Sequence, residues 1–178
     1  MRMHHLPTAA ALALAAAGLL IAPSLEAAPV VVEPVTIAAS FQKVLHERYG
    51  DDEGPVLQKA VTESLSRALK AAGASIGDAA PLHIEVSIEQ AIATHPTRKQ
   101  LLDSPGLDYL QSVARGGAQL RAVLRDAQGK IIDKFDYDRY AASLREASMS
   151  ASAWGDAQLA FDGFATELVR SWRQHWSS

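Results

Sequence analysis

The sequence predicts an α+β fold: a single domain whose three- or four-stranded, mostly antiparallel sheet carries two helices, at about 55–72 and 154–172, on one face. Leu82–Glu89 alternates apolar and polar residues, as a strand with one buried and one wet face does. Two apolar stripes of helical spacing, before and after this strand, supply a cover for the buried face. A turn at Asp126–Lys130 joins two arms rich in strand formers.

The composition is that of an ordinary globular protein. Of 178 residues, 48% are hydrophobic and 21% are charged, and the formal net charge is −3. Such a small charge of mixed sign gives no electrostatic reason to expect nucleic acid or an anionic membrane as a partner. The absence of cysteine excludes disulfides, thiol nucleophiles, thiolate zinc sites and cysteine-linked lipid anchors.

Residues 1–28 are predicted to be a signal peptide that is removed, which leaves 29–178 as the domain. A positive amino terminus precedes the apolar run Ala9–Ala22, and small residues surround the expected cleavage between Ser24 and Pro29. The run is shorter than the roughly 20 residues that a membrane-spanning helix needs. We therefore expect a periplasmic or secreted protein with no integral membrane segment after signal removal.

Before the central strand, the chain is predicted to form a strand, a loop and a helix. Val30–Ile37 is β-branched, but Pro34 favours an edge strand or a strand that begins after the proline. Phe41–Glu53 lacks a sustained period and is interpreted as a loop with at most one helical turn. A helix then opens at Gly54-Pro55 and ends at Gly73. Its apolar stripe consists of Leu57, Val61, Leu65, Ala68, Leu69 and Ala72.

The segments on either side of the central strand are predicted to be connections. Ala74–Pro81 is interpreted as a short loop. Ala91–Gln111 contains several leucines and is interpreted as an ordered connection against the core, with a short helix opening at Ser104-Pro105.

The carboxyl-terminal part is predicted to be a hairpin, a linker and a helix. Ser112–Tyr140 contains the turn named above, and Asp133 leaves the facing of the second arm open. Ala141–Ser152 is interpreted as a linker. The last helix runs from about Trp154 to Trp172 and is expected to leave Asp156 outside its apolar stripe, which consists of Ala157, Phe161, Phe164, Leu168 and Trp172.

A G-x-S-x-G motif at Gly73–Gly77 suggests Ser75 as a nucleophile. In a nucleophile elbow the serine lies on a sharp turn that runs from a strand into a helix. Here a helix precedes the serine and a strand follows it, so we interpret the motif as a helix cap followed by a loop.

The metal-capable residues cluster in one segment, at His46, Glu47, Asp51, Asp52 and Glu53. Neither an H-E-x-x-H pattern nor a calcium-loop spacing is present, so the sequence predicts an exposed acidic loop and no metal or cofactor. His95 and His175 are expected to be surface residues.

His83, Glu85 and Glu89 project from the polar face of the central strand, where they could transfer protons or bind a metal ion if that face lined a cleft. We interpret the face instead as the solvated side of a half-covered sheet and as a possible partner-binding surface. Trp176, beyond the predicted helix end, is a further candidate for partner contact. A carboxylate pair among Asp133, Asp136 and Asp138 would suit a glycosidase, but the spacing does not indicate pairing.

The order of elements resembles the small β-α-β-β-α domains of bacterial envelope proteins, which occur in poorly characterised outer-membrane lipoprotein families. It is also similar to the amino-terminal domain of the Tol-system periplasmic protein. The residues that carry the resemblance are Gly117-Ala118-x-Leu120, Asp126-x-x-Gly129, Tyr137, Tyr140 and Trp154-x-Asp156-Ala157-x-x-x-Phe161. The resemblance implies a non-catalytic accessory or binding role and supplies no active-site residues.

We therefore expect a non-catalytic accessory protein of the cell envelope that recognises a protein or another envelope component. The free sheet face, the 91–111 connection and an edge strand are the candidate surfaces, and an edge strand can bind a peptide by strand addition. The alternative is a small periplasmic hydrolase that uses the His83/Glu85/Glu89 face or Ser75. A carrier with an apolar pocket between the helices and the sheet is a third hypothesis.

Overall fold

A computed structural model describes residues 27–78, 80–147, 149 and 151–176. The elements in chain order are strands β1 (Ala27–Val32) and β2 (Thr36–Ile37), helix α1 (Ala39–Val44), a π-helical turn (Leu45–Tyr49), helix α2 (Glu53–Ala71), strands β3 (Ala74–Ile76) and β4 (Leu82–Ile92), helix α3 (Arg98–Asp103), strands β5 (Gly117–Asp126) and β6 (Ile131–Tyr140), and helices α4 (Leu144–Ala147) and α5 (Gly155–Trp176). Residues 1–26 of the predicted signal peptide lie outside this range, so its removal stays a prediction.

The six strands form one mixed sheet in the order β3-β1-β4-β5-β6, with the short β2 also paired to β4. β1 is parallel to β3 and β4, and β2 is parallel to β4, whereas β4, β5 and β6 form an antiparallel meander. The α+β class is confirmed. The prediction of three or four mostly antiparallel strands is wrong because β2 and β3, at two and three residues, are too short to show an alternating pattern.

β1 is an interior strand, not an edge strand. It lies between β3 and β4, and Val30 is fully buried opposite Leu82. Pro34 follows β1 and separates it from β2, so the missing N–H of the proline falls in a break of the ladder. The segment predicted as the loop Ala74–Pro81 begins with β3.

α2 and α5 pack against each other and contribute to a single core with one face of the sheet. α2 begins one residue before Gly54, and Gly73 follows its end at a φ of 83°, the left-handed conformation that glycine accepts most readily. α5 extends to Trp176, four residues past its predicted end. None of the helices in the described part of the chain is long and apolar enough to cross a membrane.

The described part of the chain contains five α-helices, where the sequence predicts two long helices and a short one. The segment 41–53, predicted as a loop, forms α1 and the π-helical turn. Three apolar residues spaced by four, Phe41, Leu45 and Tyr49, are buried there, and the Tyr49 ring meets Trp154 edge-on at 5.1 Å between centroids. The intervening charged residues obscured this stripe.

The 91–111 connection is anchored by threonines and not by its leucines. Leu102 and Leu110 are more than 70% exposed. Thr97 caps α3 in a capping box, and its hydroxyl donates to the carbonyl of Tyr49 at 2.7 Å. The predicted helix at Ser104-Pro105 is wrong, because α3 ends where that helix was expected to begin. The predicted linker 141–152 contains α4.

The β5–β6 hairpin forms as predicted. The carboxylate of Asp126 accepts from the main-chain N–H groups of Gln128 and Lys130, and Gly129 takes a φ of 79°. On β6, Phe135 and Tyr137 face the helices and contact Phe164 at centroid distances of 5.9 and 6.2 Å. Asp133 lies on the same side of the strand, which explains why the alternation of hydrophobicity is hard to recognise.

Candidate functional site

The sheet face that points away from the helices, here called the outer face, is the candidate functional site. It follows from the strict alternation of β4: Leu82, Ile84, Val86 and Ile88 are at most 2% exposed, and the residues between them point the other way. The side chains of the outer face are His83, Glu85, Ser87 and Glu89 from β4, Gln119, Arg121, Val123 and Arg125 from β5, and Lys134, Asp136 and Asp138 from β6.

Polar contacts and ion pairs between neighbouring segments connect this face. Nδ1 of His83 lies 2.9 Å from the Glu33 carboxylate, just beyond β1, and Arg125 Nε donates to Glu85 at 2.8 Å. The four side chains are 31 to 45% exposed. Such pairs are half solvated, so each contributes at most about 1 kcal/mol to stability.

Arg121 lies at the centre of the face, between two carboxylates. Its Nε donates to Asp136 at 2.7 Å, and its Nη1 is 4.0 Å from Glu89. The hydrogen bond and the charge of Asp136, followed by the charge of Glu89, raise the pKa of the guanidinium above its ordinary value. The guanidinium therefore stays charged and holds β5 to β6 across the face.

The structure brings His83, Glu85 and Glu89 to one face, as their alternation predicts, but not to one another. Each of the three is engaged by a different residue of a neighbouring segment. Ser75 lies on β3, with β1 between it and His83, so the two are about 10 Å apart by the ordinary strand spacing. The arrangement therefore has no serine–histidine contact of the kind that activates a nucleophile. The side chain of Trp176 lies outside the described residues.

A hollow of about 480 Å³ marks one end of the outer face. Its lining consists of Gln90, Ile92, Arg115, Gln119, Asp138 and Tyr140. Partial burial, and then the charge of Asp138, raises the pKa of the Tyr140 phenol above 10.0. The phenol therefore remains a neutral hydrogen-bond donor at physiological pH.

A buried polar cluster behind this end was missed by the sequence analysis. Asp156 is 5% exposed, so the prediction that it lies outside the buried stripe of α5 is wrong. Its carboxylate accepts hydrogen bonds from the Thr94 hydroxyl at 2.9 Å and from the Gly116 N–H at 3.2 Å. A Cβ on Gly116 would overlap the Thr94 hydroxyl and lie 3.0 Å from the Cβ of Asp156, so only glycine fits the approach. The Asp at the first turn of α5 was the available signal, because an acceptor there often satisfies free N–H groups.

His95 is buried next to this cluster, where the sequence analysis placed it on the surface. It is 4% exposed, its Nδ1 lies 2.8 Å from the carbonyl oxygen of Tyr109, and the two rings stack at 5.2 Å. These contacts join two distant parts of the 91–111 connection to each other, so the histidine has a structural role.

The predicted metal-capable cluster forms a local hydrogen bond. Nδ1 of His46 lies 3.0 Å from Asp51, and both side chains are well exposed. Among the residues that the structure describes, no group of three His, Asp or Glu side chains is placed to hold a metal ion. The statement that the protein needs no cofactor stays a prediction.

No protein-family model matches this chain, and no curated protein matches its sequence. Solved structures with related shapes include protein XCC0632 from Xanthomonas campestris, of family DUF330, at 9% identity and a TM-score of 0.48; the match covers 85% of this chain and 89% of that one. A PelC dodecamer from Paraburkholderia phytofirmans has 15% identity and a TM-score of 0.45, with 79% and 85% covered. A minor lipoprotein from Acinetobacter baumannii has 12% identity and a TM-score of 0.40, with 83% and 94% covered. Such distant likenesses assign no function, and the resemblance to the Tol-system domain stays a prediction.

Proposed function

We propose that this chain is an exported, non-catalytic binding protein that recognises a protein or another component of the bacterial cell envelope through its outer face. The observation that carries the proposal is the row of half-exposed ion pairs, made by Arg121 and Arg125, that crosses β4, β5 and β6. Export is supported by the leader-like composition of residues 1–28.

The chemistry of the face suits recognition better than catalysis. Three of its carboxylates, those of Glu85, Glu89 and Asp136, are engaged by arginines of neighbouring strands at 2.7 to 4.0 Å, so the charges form an extended pattern and do not converge on one point. Arginine is enriched in protein interfaces because its guanidinium can bind two acceptors at once. A partner with the complementary pattern can exchange these exposed pairs for its own at little net cost.

Site-specific crosslinking in the native host tests the proposal. A photo-reactive amino acid replaces Val123, at the centre of the outer face, or Lys59, an exposed residue of α2 on the other side of the molecule. We expect one reproducible crosslinked species from position 123 and none from position 59.

A second substitution makes this result specific. Arg125→Glu reverses a charge next to position 123 and should reduce the crosslink at least several-fold, while circular dichroism shows an unchanged fold. Equal crosslinking from both positions, or a hydrolytic activity that His83→Ala abolishes, would contradict the proposal.

A further inference from the structure

We propose that the free edge of β6 binds a second copy of this chain, whose own β6 pairs with it antiparallel about a two-fold axis at Asp136. β6 has ten residues and pairs with β5 on one side. Across the part of the chain that the structure describes, no strand lies on its other side. A long, unpaired edge is the feature of a sheet that most readily accepts another strand. The proposal concerns this edge and does not depend on a partner for the outer face.

The hydrogen-bond pattern shows which residues point outward. The N–H of Ala141 donates to the carbonyl of Gly116 at 2.9 Å, and this bond sets the alternation along the β5–β6 ladder. The main-chain groups of Phe135 and Tyr137 therefore point to β5, and those of Asp136 and Asp138 point to the free edge. The N–H of Lys134 also points outward, and it bonds instead to the carboxylate of Asp133 at 2.8 Å.

The sequence of β6 is complementary to itself in reverse. With Asp136 on the axis, Lys134 lies opposite Asp138 of the second copy, and Asp133 lies opposite Arg139. Phe135 lies opposite Tyr137, which forms an aromatic pair on the helix side. This register also pairs outward-pointing residues with outward-pointing residues, as the backbone hydrogen bonds of an antiparallel pair require.

The two aspartates on the axis do not oppose this arrangement, because each carboxylate already accepts from Arg121 of its own chain at 2.7 Å. Two other axes are worse. An axis at residue 134 places two lysines opposite each other, and an axis at residue 138 places two aspartates opposite each other that, unlike Asp136, have no arginine partner among the described residues. Of these three axes, the charges favour the one at Asp136.

Unused charges and exposed apolar side chains near the edge support this occupant. Within the described residues, Lys134 and Asp138 form no ion pair, whereas Arg139 is held only loosely by Glu146, at 3.6 Å. Ile132 is 50% exposed at one end of β6. Leu159, 46% exposed, lies on α5 one turn before Gly163, which is close to Tyr137 of β6. An added strand would cover Ile132.

A charge swap tests the register. Lys134→Asp alone, or Asp138→Lys alone, places like charges opposite each other twice per dimer, whereas the double variant restores both attractive pairs because the dimer is symmetric. By analytical ultracentrifugation we expect the wild-type protein to dimerise. The dissociation constant should rise about tenfold or more in each single variant and return towards the wild-type value in the double variant.

A disulfide test fixes the geometry independently, because the chain has no cysteine of its own. Facing residues of a hydrogen-bonded antiparallel pair are about 5.5 Å apart at Cα, within the range of a disulfide. Asp136→Cys should therefore give a covalent dimer on mild oxidation, and Lys134→Cys should not. A monomeric wild-type protein at high micromolar concentration, a double swap no better than the single variants, or equal crosslinking of both cysteine variants would overturn the proposal. If the partner crosslink from position 123 were still observed in that case, only the dimer proposal would fail, and the proposed function of the outer face would stand.

Discussion

The two faces of strand β4 differ in burial and in chemistry, although their residues alternate along the same strand. The helix-side residues Leu82, Ile84, Val86 and Ile88 are almost fully buried. The outer-face residues between them are charged or polar and half exposed, and they bind neighbouring segments through ion pairs. Burial of a large aliphatic side chain stabilises a protein by about 1.5–3 kcal/mol, whereas an exposed ion pair contributes at most about 1. The helix side therefore determines stability, and the outer face is free to serve recognition.

The largest expected effect concerns the helix side. Leu120, on β5, is fully buried, whereas Leu102, on α3, is 72% exposed. Leu120→Ala should lower the free energy of unfolding by about 2–5 kcal/mol because it removes packed atoms and leaves a cavity. Leu102→Ala should change it by no more than about 0.5 kcal/mol. Urea denaturation of both variants compares the same change, leucine to alanine, at a buried and at an exposed position. Equal losses of unfolding free energy would refute the assignment of the core.

An intermediate effect on stability is expected at the buried polar cluster, whose residues are polar like the outer face but buried like the helix side. Asp156→Ala leaves the Thr94 hydroxyl and the Gly116 N–H without their acceptor, which should cost about 1–3 kcal/mol of unfolding free energy. Asp51→Ala removes a carboxylate that is 65% exposed, with an expected loss below about 1 kcal/mol. The free energy of unfolding of both variants is measured by thermal and by urea denaturation. Equal losses in Asp156→Ala and Asp51→Ala would show that the cluster has no structural role.

The smallest expected effect is on ionisation at the hollow of the outer face. Because partial burial and Asp138 raise the pKa of Tyr140, folding favours the neutral phenol. The resulting stability is fully present below pH 10, the pKa of the unfolded chain, and is lost as the pH rises through the higher folded value.

An ultraviolet titration of the phenolate isolates this group when the curve of Tyr140→Phe is subtracted. We expect a midpoint above 10, and a lower midpoint in Asp138→Asn because one of the two causes is removed. A midpoint that Asp138→Asn leaves unchanged would exclude the carboxylate as a cause.

The regular elements could be predicted from the sequence wherever one periodicity ran long enough. β4 and the apolar stripe of α2 each repeat their pattern over several residues, and the hairpin turn was recognisable from Asp126 and Gly129; the structure confirms all three. β3 has three residues, too few for any period, and the parallel pairing of β1 depends on contacts with β3 and β4, which are distant in the sequence.

The candidate site could be predicted in part for the same reason. Alternation placed His83, Glu85 and Glu89 on one face, but the partners of these residues come from other segments, so pairing was beyond a local pattern. The exposure predicted for His95 and Asp156 was wrong because hydrogen bonds to Tyr109 and Thr94 compensate their burial, and a local pattern does not identify such partners.

An alanine scan along Leu82–Glu89, with two readouts for each variant, tests the central claim most directly. The readouts are the free energy of unfolding and the yield of the crosslink from position 123. The account predicts that the two alternate out of phase: Ile84→Ala lowers stability and spares the crosslink of the folded fraction, whereas Glu85→Ala spares stability and weakens the crosslink. Losses of both quantities at the same positions would contradict the separation of stability and recognition between the two faces.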